Sequence, residues 1–416
     1  MASESSETAR YWAPGCPAGK HDDPDYLSEH FDPYSTELTR GRYLRVAGAL
    51  RSRCPVAHSD AQEAGFYSVS GYAEIESIHL DPRSYSSFPV TIPPFGNTRP
   101  MLPIEADPPL HRGYRQPLLE SFSRSAQRTK SVDYRAMVTE CIDGFVDAGR
   151  CDLATDLCIP LTVRALMEML GVPADDQAKL EDIATRMVRR KTTDPAKAAV
   201  ELMSYFVELI ELRRREPADD VVSRLCAADI AGVPITDSEI LDYCMLLVPA
   251  GFETTASSMG YTFLILAERP DLQQRLREEP DRIPAAIEEF LRYATPVRGL
   301  SRTVMAETEL GGTALRRGDR IHMNWIAANH DPAVFTDPAE IDIERRPNRH
   351  LGFGLGSHLC LGIHMAREEM RVAFEEVLAR LHDIRIPDPD AVVEEPGTTW
   401  GITSLPVTFT PASGAA

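Results

Sequence analysis

Residues 353–362 read F-G-L-G-S-H-L-C-L-G, a glycine-spaced loop that places Cys360 directly ahead of an amphipathic run over residues 361–381. A thiolate is favoured where a loop enters a helix, because free amide N–H groups and the positive end of the helix dipole stabilise its charge. The glycines have no Cβ, so the backbone can turn sharply or lie against something large and flat. The stretch predicts a low-pKa sulfur that faces a planar space, although a free cysteine taken alone is more often a small buried hydrophobe.

A low-pKa sulfur beside a planar space is what a haem iron requires from its protein. The ten residues as a whole resemble the haem-binding signature of the cytochrome P-450 family. The matching positions are Phe353, Gly354, Gly356, His358, Cys360 and Gly362. The resemblance implies haem b (iron protoporphyrin IX) as the cofactor and Cys360 as the thiolate ligand of its iron, a ligation for which this family is itself the standard example.

The composition of the 416-residue chain excludes several classes of protein. A formal charge of −19 argues against nucleic acid or an anionic membrane surface as the main partner. No apolar run approaches the roughly 20 residues of a transmembrane helix, and the start of the chain lacks a secretory hydrophobic core. Eight cysteines without a C-x-x-C pair are typical of reduced thiols in a cytosol. With no linker or repeat in view, we expect a cytoplasmic protein of one domain, residues 1–416, in which residues 1–40 form a loosely packed N-terminal arm.

The spacing of apolar residues predicts helix over most of the chain. Helical segments are expected at residues 42–53, 72–80, 110–122, 133–147, 158–170, 175–190, 195–215 and 218–228. Strand-prone pieces are fewer, at residues 66–69, 303–310, 320–324 and 407–409 and near Ile402. A long loop covers residues 86–108, and long ordered loops are usually functional. The predicted fold class is mainly α with a minor β region in a single domain, which matches the P-450 fold.

A long helix begins at Thr236, which forms a capping box with Glu239, and it can run to about Glu268. Its centre reads Pro249-Ala-Gly-Phe-Glu-Thr-Thr255. Because proline removes a helix hydrogen bond and glycine weakens the ladder, the backbone should open there. By itself this is a kink in a buried helix. Beside the loop at Cys360, the segment from Ala250 onward resembles the oxygen-binding segment of P-450 enzymes.

That resemblance assigns roles to four residues of the segment. Ala250 and Gly251 would lie against the haem, Glu253 would relay protons, and Thr254 would hold the bound oxygen and its water. Cleavage of dioxygen consumes two protons, which a hydroxyl beside a carboxylate can supply along a short water chain. Pro249 departs from the usual pattern, and it should widen the helix opening on the substrate side.

Glu289-Phe-Leu-Arg292 places opposite charges three residues apart on one helix face, which by itself is common surface decoration. It matches the Glu-x-x-Arg element of the family, a buried ion pair that supports the loop before the cysteine. Arg345 matches the third partner of that network. The implied role of these three residues is structural.

His111 and Arg115 lie four apart, on one face of the helix after Asp-Pro-Pro. Without context such a pair is an exposed basic face. In the family it grips the haem propionates, and Arg302 and His358 match further propionate contacts. Two carboxylates that face several N–H donors make good charge-assisted hydrogen bonds.

The resemblance implies a haem-thiolate monooxygenase that inserts one oxygen atom of O2 into a C–H bond of a small or medium hydrophobic substrate. A terpenoid is the favoured class. The residues expected to line the substrate pocket are Phe88, Arg99, Leu246, Pro249, Val297 and Trp400. Arg99 leaves a fatty or aromatic acid open, because it could pair with a substrate carboxylate.

No flavin- or NAD-binding glycine motif follows a strand, so electrons should come from a separate iron–sulfur ferredoxin with an NAD(P)H-dependent ferredoxin reductase. Basic residues on and near the helix that carries His111 could form a docking patch for the ferredoxin, or they could be an ordinary solvated face. They are Arg112, Arg124, Arg128, Lys130 and Arg367. Two alternative functions remain, a peroxide-driven peroxygenase and a non-catalytic haem sensor or carrier. The Glu253-Thr254 pair weighs against both.

Overall fold

The computed structural model describes residues 30–33, 40–62, 64–94, 100–129, 133–188, 194–395 and 397–412. Most of the N-terminal arm that the sequence predicts, residues 1–40, lies outside these ranges, as do Arg99 and Lys130. No helix in the described ranges is both long enough and apolar enough to cross a membrane.

Helices make up most of the described chain. They are α1 Arg40–Arg53, α2 Tyr72–Leu80, α3 Leu110–Phe122, α4 Arg124–Thr129, α5 Tyr134–Asp143, α6 Ile159–Leu170, α7 Gln177–Val188, α8 Pro195–Arg215, α9 Val221–Ala227, α10 Asp237–Glu268, α11 Pro270–Glu278, α12 Ile283–Tyr293, α13 Trp325–Asn329 and α14 Ile363–Arg380. Several bounds agree with the sequence prediction to the residue, among them α2, α3 and α8. The ends of these helices coincide with turn and capping residues, which can be recognised in the sequence.

The strands are short and form small sheets. They are β1 Val56–Ser59, β2 Phe66–Val69, β3 Tyr85–Ser86, β4 Arg150–Asp152, β5 Asp229–Ile230, β6 Val233–Pro234, β7 Gly299–Val304, β8 Thr308–Leu310, β9 Thr313–Leu315, β10 Arg320–Asn324, β11 Leu381–Arg385, β12 Val393–Glu395, β13 Gly401–Ser404 and β14 Pro406–Pro411.

The largest sheet has five strands in the order β1-β2-β10-β7-β3, in which β10 runs parallel to β2 and antiparallel to β7. A second sheet has the order β11-β14-β4, and three two-stranded hairpin pairs complete the described β structure. The predicted fold class, mainly α with a minor β region, is confirmed.

Helix α10 runs through the core of the protein. Its start carries the predicted capping box: Glu239 N donates to Thr236 Oγ1 (3.2 Å), and Thr236 N donates to Glu239 Oε2 (2.9 Å). The helix is apolar on nearly every side, which is typical of a fully buried helix, and it packs against α6, α8 and β13. It is one continuous α-helix of 32 residues with Pro249 inside it. The helix is therefore not interrupted at Pro249, contrary to the expectation that its backbone opens there.

Candidate active site

One stretch of α10 is open to space although the helix lies in the core. Ala250 is exposed, and Leu246, Pro249, Glu253 and Thr254 are half-buried, whereas most other residues of the same turns are buried. The open positions recur at three- and four-residue spacing, so they share one face of the helix. An internal cavity therefore lies against the middle of α10.

Thr254 has a defined orientation on this face. Its Oγ1 donates a hydrogen bond to the carbonyl oxygen of Ala250 (2.6 Å). A carbonyl can only accept, so the hydroxyl hydrogen is committed to Ala250 and the lone pairs of Oγ1 remain available as acceptors. Half-buried Glu253 precedes it in the chain, so a carboxylate and a hydroxyl lie at the edge of the cavity.

Gly251 lies where α10 packs against α6. A Cβ added at this glycine would meet Leu166 Cδ2 at 3.0 Å and Cδ1 at 3.1 Å. Gly251 therefore allows the close approach of α10 and α6 on that side. The residue itself is half-buried, and its place against the cofactor stays a prediction.

The loop before α14 holds Cys360 by its backbone. Cys360 N donates to the carbonyl oxygen of Phe353 (2.8 Å), which closes the loop on itself. Gly354 and Gly356 have φ values of +67° and +70°, in the left-handed region that favours glycine. At Gly356 a Cβ would also lie 2.5 Å from the carbonyl oxygen of His79, whereas Gly362 opens onto free space. Two of the three glycines thus shape the turn, and the third keeps one side of the cysteine clear.

The pKa of Cys360 differs from the sequence prediction. Protein packed around the half-buried cysteine raises the pKa of its thiol by desolvation, against the opposing effects of the Gly362 N–H and of Arg115 and Arg367. α14 begins only at Ile363, so Cys360 precedes its first turn. The expectation that the helix end by itself produces a low-pKa thiolate is wrong for the protein alone. A metal ion bound at this sulfur would favour the thiolate.

Four N–H-bearing side chains meet at the cysteine loop: two from α3, one from β7 and one from the loop itself. The rings of His111 and His358 lie 4.0 Å apart between centroids, and Ser87 Oγ lies 3.0 Å from His358 Nε2. Arg115 donates to the carbonyl oxygen of Leu359. Arg302 lies close enough to lower the pKa of both histidines, after burial as the main cause. The four predicted propionate-binding residues are therefore brought together.

This cluster has an excess of positive charge. Arg302 is only 4% exposed, donates one hydrogen bond to the carbonyl oxygen of Ser301 (2.9 Å), and has its pKa lowered to about 10 by burial. Burial likewise lowers the pKa of His358 to about 2. The carboxylate that acts on Arg302 is Asp107, which already accepts hydrogen bonds from Ser86 Oγ and Ser87 N (2.8 Å). A buried guanidinium with so little compensation fits an anionic group that is bound here, and two carboxylates would suit the donor set.

A family model described as Cytochrome P450 matches residues 161–406 of the chain. The chain belongs to the cytochrome P450 family. Its fold is the P450 fold, its activity is that of a cytochrome P450 monooxygenase, and its cofactor is haem b. The open face of α10, the half-buried Cys360 and the under-compensated cations fit this cofactor, which carries an iron and two propionates.

Relatives and solved structures agree with the family. Cytochrome P450-terp of Pseudomonas sp is 33% identical over 324 residues, which cover 74% of this chain and 76% of that protein. A steroid C26-monooxygenase of Mycobacterium tuberculosis (strain CDC 1551 / Oshkosh) is 33% identical over 327 residues, which cover 76% and 88%. The crystal structure of CYP108D1 from Novosphingobium aromaticivorans has a TM-score of 0.82 at 29% identity, and covers 96% of this chain and 100% of that one.

The ion-pair network of the P450 is present and fully buried at its centre. Arg292 donates to Glu289 through Nη2 (2.7 Å) and Nε (2.9 Å), and neither side chain is more than 1% exposed. Arg345 Nε donates to both oxygens of Glu289, at 3.2 and 3.1 Å. Two donors that the sequence did not suggest, Asn348 Nδ2 (3.1 Å) and the Asp342 N–H (2.9 Å), complete the coordination of this carboxylate. The predicted pairing is confirmed in the structure.

The predicted pocket residues divide into two groups. Phe88, Leu246, Pro249 and Val297 are half-buried, as walls of an internal cavity must be. Trp400 is only 2% exposed, and its ring packs against Arg298 (4.3 Å from Cζ to the ring centroid) and Tyr43 (5.5 Å between centroids). The expectation that Trp400 lines the pocket is wrong, because its faces are already covered. Arg99 lies outside the described residues.

Sequence reasoning missed several residues that position this site. Asp107 and Ser87 join the two ends of the long loop beside His358, and His79 accepts a hydrogen bond from Trp325 Nε1 (3.1 Å) behind the cysteine loop. Asp107 belongs to the Asp-Pro-Pro turn, which the sequence did show as a helix start. Its partners are distant in the chain, so no local pattern could have revealed them.

Proposed function

We propose that this P450 oxidises a neutral, hydrophobic substrate of terpenoid or steroid type, with Cys360 as the ligand of the haem iron and Glu253 and Thr254 as its proton-delivering residues. When bound, the haem supplies dioxygen activation and the transfer of one oxygen atom into a C–H bond, assisted by electron density from the thiolate. The observation that carries the proposal is the single open face of α10, where Leu246, Pro249 and Ala250 lie one or two turns from Glu253 and Thr254.

His111, Arg115, Arg302 and His358 would hold the two propionates. Arg115 and Arg302 supply positive charge, and the two histidines, which are neutral because burial lowers their pKa, supply N–H donors. These charge-assisted contacts would fix the orientation of the cofactor in the cavity. Ala250 leaves space for it on the α10 side.

Proton delivery would pass through a water that the Oγ1 atom of Thr254 positions. Because this hydroxyl donates to the Ala250 carbonyl, its lone pairs can accept a hydrogen bond from a water on the cavity side. Glu253, half-buried at the edge, would exchange protons with solvent and return them to that water. The surrounding apolar residues of α10 would keep bulk water away.

The substrate class follows from the walls. Phe88, Leu246, Pro249 and Val297 offer apolar surface, and the described walls supply no cation at these positions for a substrate carboxylate. Two curated relatives carry names that point the same way, cytochrome P450-terp and steroid C26-monooxygenase. A fatty or aromatic acid would need a cation such as Arg99.

The test is a difference spectrum of the reduced protein with carbon monoxide, followed by a ligand titration of the ferric protein. We expect the strongly red-shifted Soret band of a thiolate ligand in the wild type and its loss in Cys360→His. Camphor and testosterone should then shift the ferric haem to high spin at lower concentration than lauric acid. A histidine-type band in the wild type, or tighter binding of lauric acid, would refute the assignment of the ligand or of the substrate class respectively.

Electrons would come from an iron–sulfur ferredoxin that is reduced by an NAD(P)H-dependent ferredoxin reductase. Arg112 and Arg124 are exposed on and just after the helix that carries the propionate-binding His111. Arg367 is less suited to docking, since it donates to Glu288 at 2.7 and 2.6 Å. On a chain with a net charge of −19, exposed arginines near the haem are the natural contact for an acidic ferredoxin.

This docking site predicts a salt-dependent reaction. Neutralising Arg112 and Arg124 to glutamine should slow reduction by a plant-type ferredoxin at low ionic strength and flatten its dependence on salt. The matched control is the pair Arg316 and Arg317, which are exposed in the turn before β10. Equal rates and equal salt dependence for the two double variants would eliminate the patch.

A further inference from the structure

The buried carboxylate of Glu105 joins two segments of the long loop. It lies outside the haem-binding cluster, which is the group formed by His111, Arg115, Arg302 and His358. Glu105 is 1% exposed, and its Oε1 accepts a hydrogen bond from the Val90 N–H (2.8 Å) while its Oε2 accepts one from the Met101 N–H (2.7 Å). Glu105 N in turn donates to the Met101 carbonyl oxygen (2.9 Å). This set of contacts, the Glu105 bridge, connects residues 88–94 with residues 100–105.

One end of the bridge is fixed to the five-stranded sheet. The Val90 carbonyl oxygen accepts from Ser301 N of β7 (2.7 Å), and Thr303 Oγ1 donates to the Phe88 carbonyl oxygen (2.7 Å). Arg320 of β10 donates to the carbonyl oxygens of Pro89 (2.6 Å) and Thr91 (2.9 Å). Residues 88–91 are therefore held rigidly, and the Glu105 bridge transmits that fixed position to Met101.

The bridged segments begin and end at the haem-binding cluster. Ser87 and Asp107 flank them, joined by the Ser87 N–H (2.8 Å), and Ser87 also contacts His358. Phe88, which immediately follows Ser87, is half-buried as a pocket wall. A change in the Glu105 bridge would therefore move the described walls of the substrate pocket, whereas the cysteine loop keeps its own backbone contact from Cys360 N to the Phe353 carbonyl oxygen.

We propose that Glu105 is a positioning residue for the substrate: it sets the wall formed by residues 88–94 and 100–105, and so determines the affinity for large ligands. The inference rests on the proposed function of the cavity as a substrate pocket. A carboxylate is the side chain that can accept from two N–H groups at once with full charge assistance. Glutamine at this position offers one acceptor and turns its NH2 group toward the other N–H, so one half of the bridge is lost.

The experiment compares wild type with Glu105→Gln and Glu105→Asp, and uses Glu309→Gln on exposed strand β8 as the matched control. Camphor and testosterone report on the wall, and imidazole, which is small and binds the iron directly, reports on the haem site. In Glu105→Gln we expect the Kd of testosterone to rise about tenfold, which corresponds to the loss of roughly one such hydrogen bond. The Kd of imidazole should be unchanged. Glu105→Asp, whose shorter side chain reaches only one donor, should behave similarly, and Glu309→Gln should equal wild type.

Amide hydrogen exchange at Val90 and Met101 provides a readout that does not depend on haem or substrate. These amides should be protected in the wild type and in Glu309→Gln, and at least one of them should exchange faster in Glu105→Gln. Unchanged exchange, unchanged testosterone binding, or parallel weakening of testosterone and imidazole would each overturn the positioning role. A wild-type protein without a thiolate-type carbon monoxide band would instead contradict the proposed function, and the exchange measurement would still decide the bridge.

Discussion

Replacing Glu289 with glutamine should destabilise the protein far more than any exposed ion-pair mutation. Glu289 accepts hydrogen bonds from Arg292, Arg345, Asn348 and the Asp342 backbone, so both of its oxygens are surrounded by donors. A glutamine can satisfy the donors on one side only. Its NH2 group would then point at N–H groups on the other side, next to an Arg292 guanidinium that has no exposure to water.

The magnitude follows from the burial of Arg292. Breaking a buried ion pair by removing one partner costs about 3–5 kcal/mol, because the remaining charge is left uncompensated. For a chain of 416 residues, an unfolding entropy of about 2.1 cal/mol/K per residue amounts to about 0.9 kcal/mol/K. The midpoint of thermal unfolding should therefore fall by about 3–6 °C in Glu289→Gln.

The assay is thermal unfolding of the haem-loaded protein, followed by circular dichroism and by loss of the Soret band. Glu368→Gln is the control, because Arg371 and Glu368 form the same i, i+3 pair at roughly one-third exposure. That exposed pair should contribute less than about 1 kcal/mol. If Glu289→Gln unfolds at the same temperature as Glu368→Gln, the buried network carries no more stability than a surface pair and the reasoning is refuted.

Three further predictions concern single residues. Thr254→Ala should retain haem and substrate affinity while product formed per oxygen consumed falls about tenfold or more, since the hydroxyl that positions the proton-delivering water is gone; unaltered coupling would exclude that role. Burial raises the pKa of Glu369, whose two oxygens have no hydrogen-bond partner in the described part of the chain, well above its usual value. Above that usual value the unfolded chain releases a proton that the folded protein retains, so stability falls as pH rises. Glu369→Gln should therefore raise the unfolding temperature at pH 8, with a gain that shrinks toward pH 5; a gain that does not depend on pH would contradict this. Gly356→Ala should cost more stability than Gly312→Ala in denaturant titrations, because both glycines have positive φ but only Gly356 also meets the His79 carbonyl; equal losses would mean that the close approach is harmless.

Local chemistry made much of the architecture predictable. The capping box at Thr236 and the Arg-Pro turn after Glu268 define α10 from nearby residues alone, and the structure confirms both ends. Apolar spacing likewise predicted most of the longer helices and some of the short strands. The cofactor was predictable because the residues that suggest it stand in motifs of fixed spacing.

The errors at Trp400 and Cys360 share a cause, which is that each depends on contacts made by residues distant in the chain. Trp400 is covered by Arg298 and Tyr43. The rise in the pKa of Cys360 comes from protein packed around it, which a helix-dipole argument based on one segment cannot include. Sequence spacing gives the face of a helix but not the neighbour that this face meets.

By itself the sequence determined the fold class and the partners of the buried ion-pair network, and it led to the proposals for the iron ligand and the propionate-binding residues. Each of these depends on residue type and on spacing within a few turns of backbone. Only the tertiary structure decided which face of α10 is open, how Asp342 and Asn348 complete the coordination of Glu289, and how Glu105 joins two segments of the long loop. The reason is physical: burial, desolvation and hydrogen bonding between distant segments arise only when the chain is packed, and they do not leave a periodic signal in any one stretch of it.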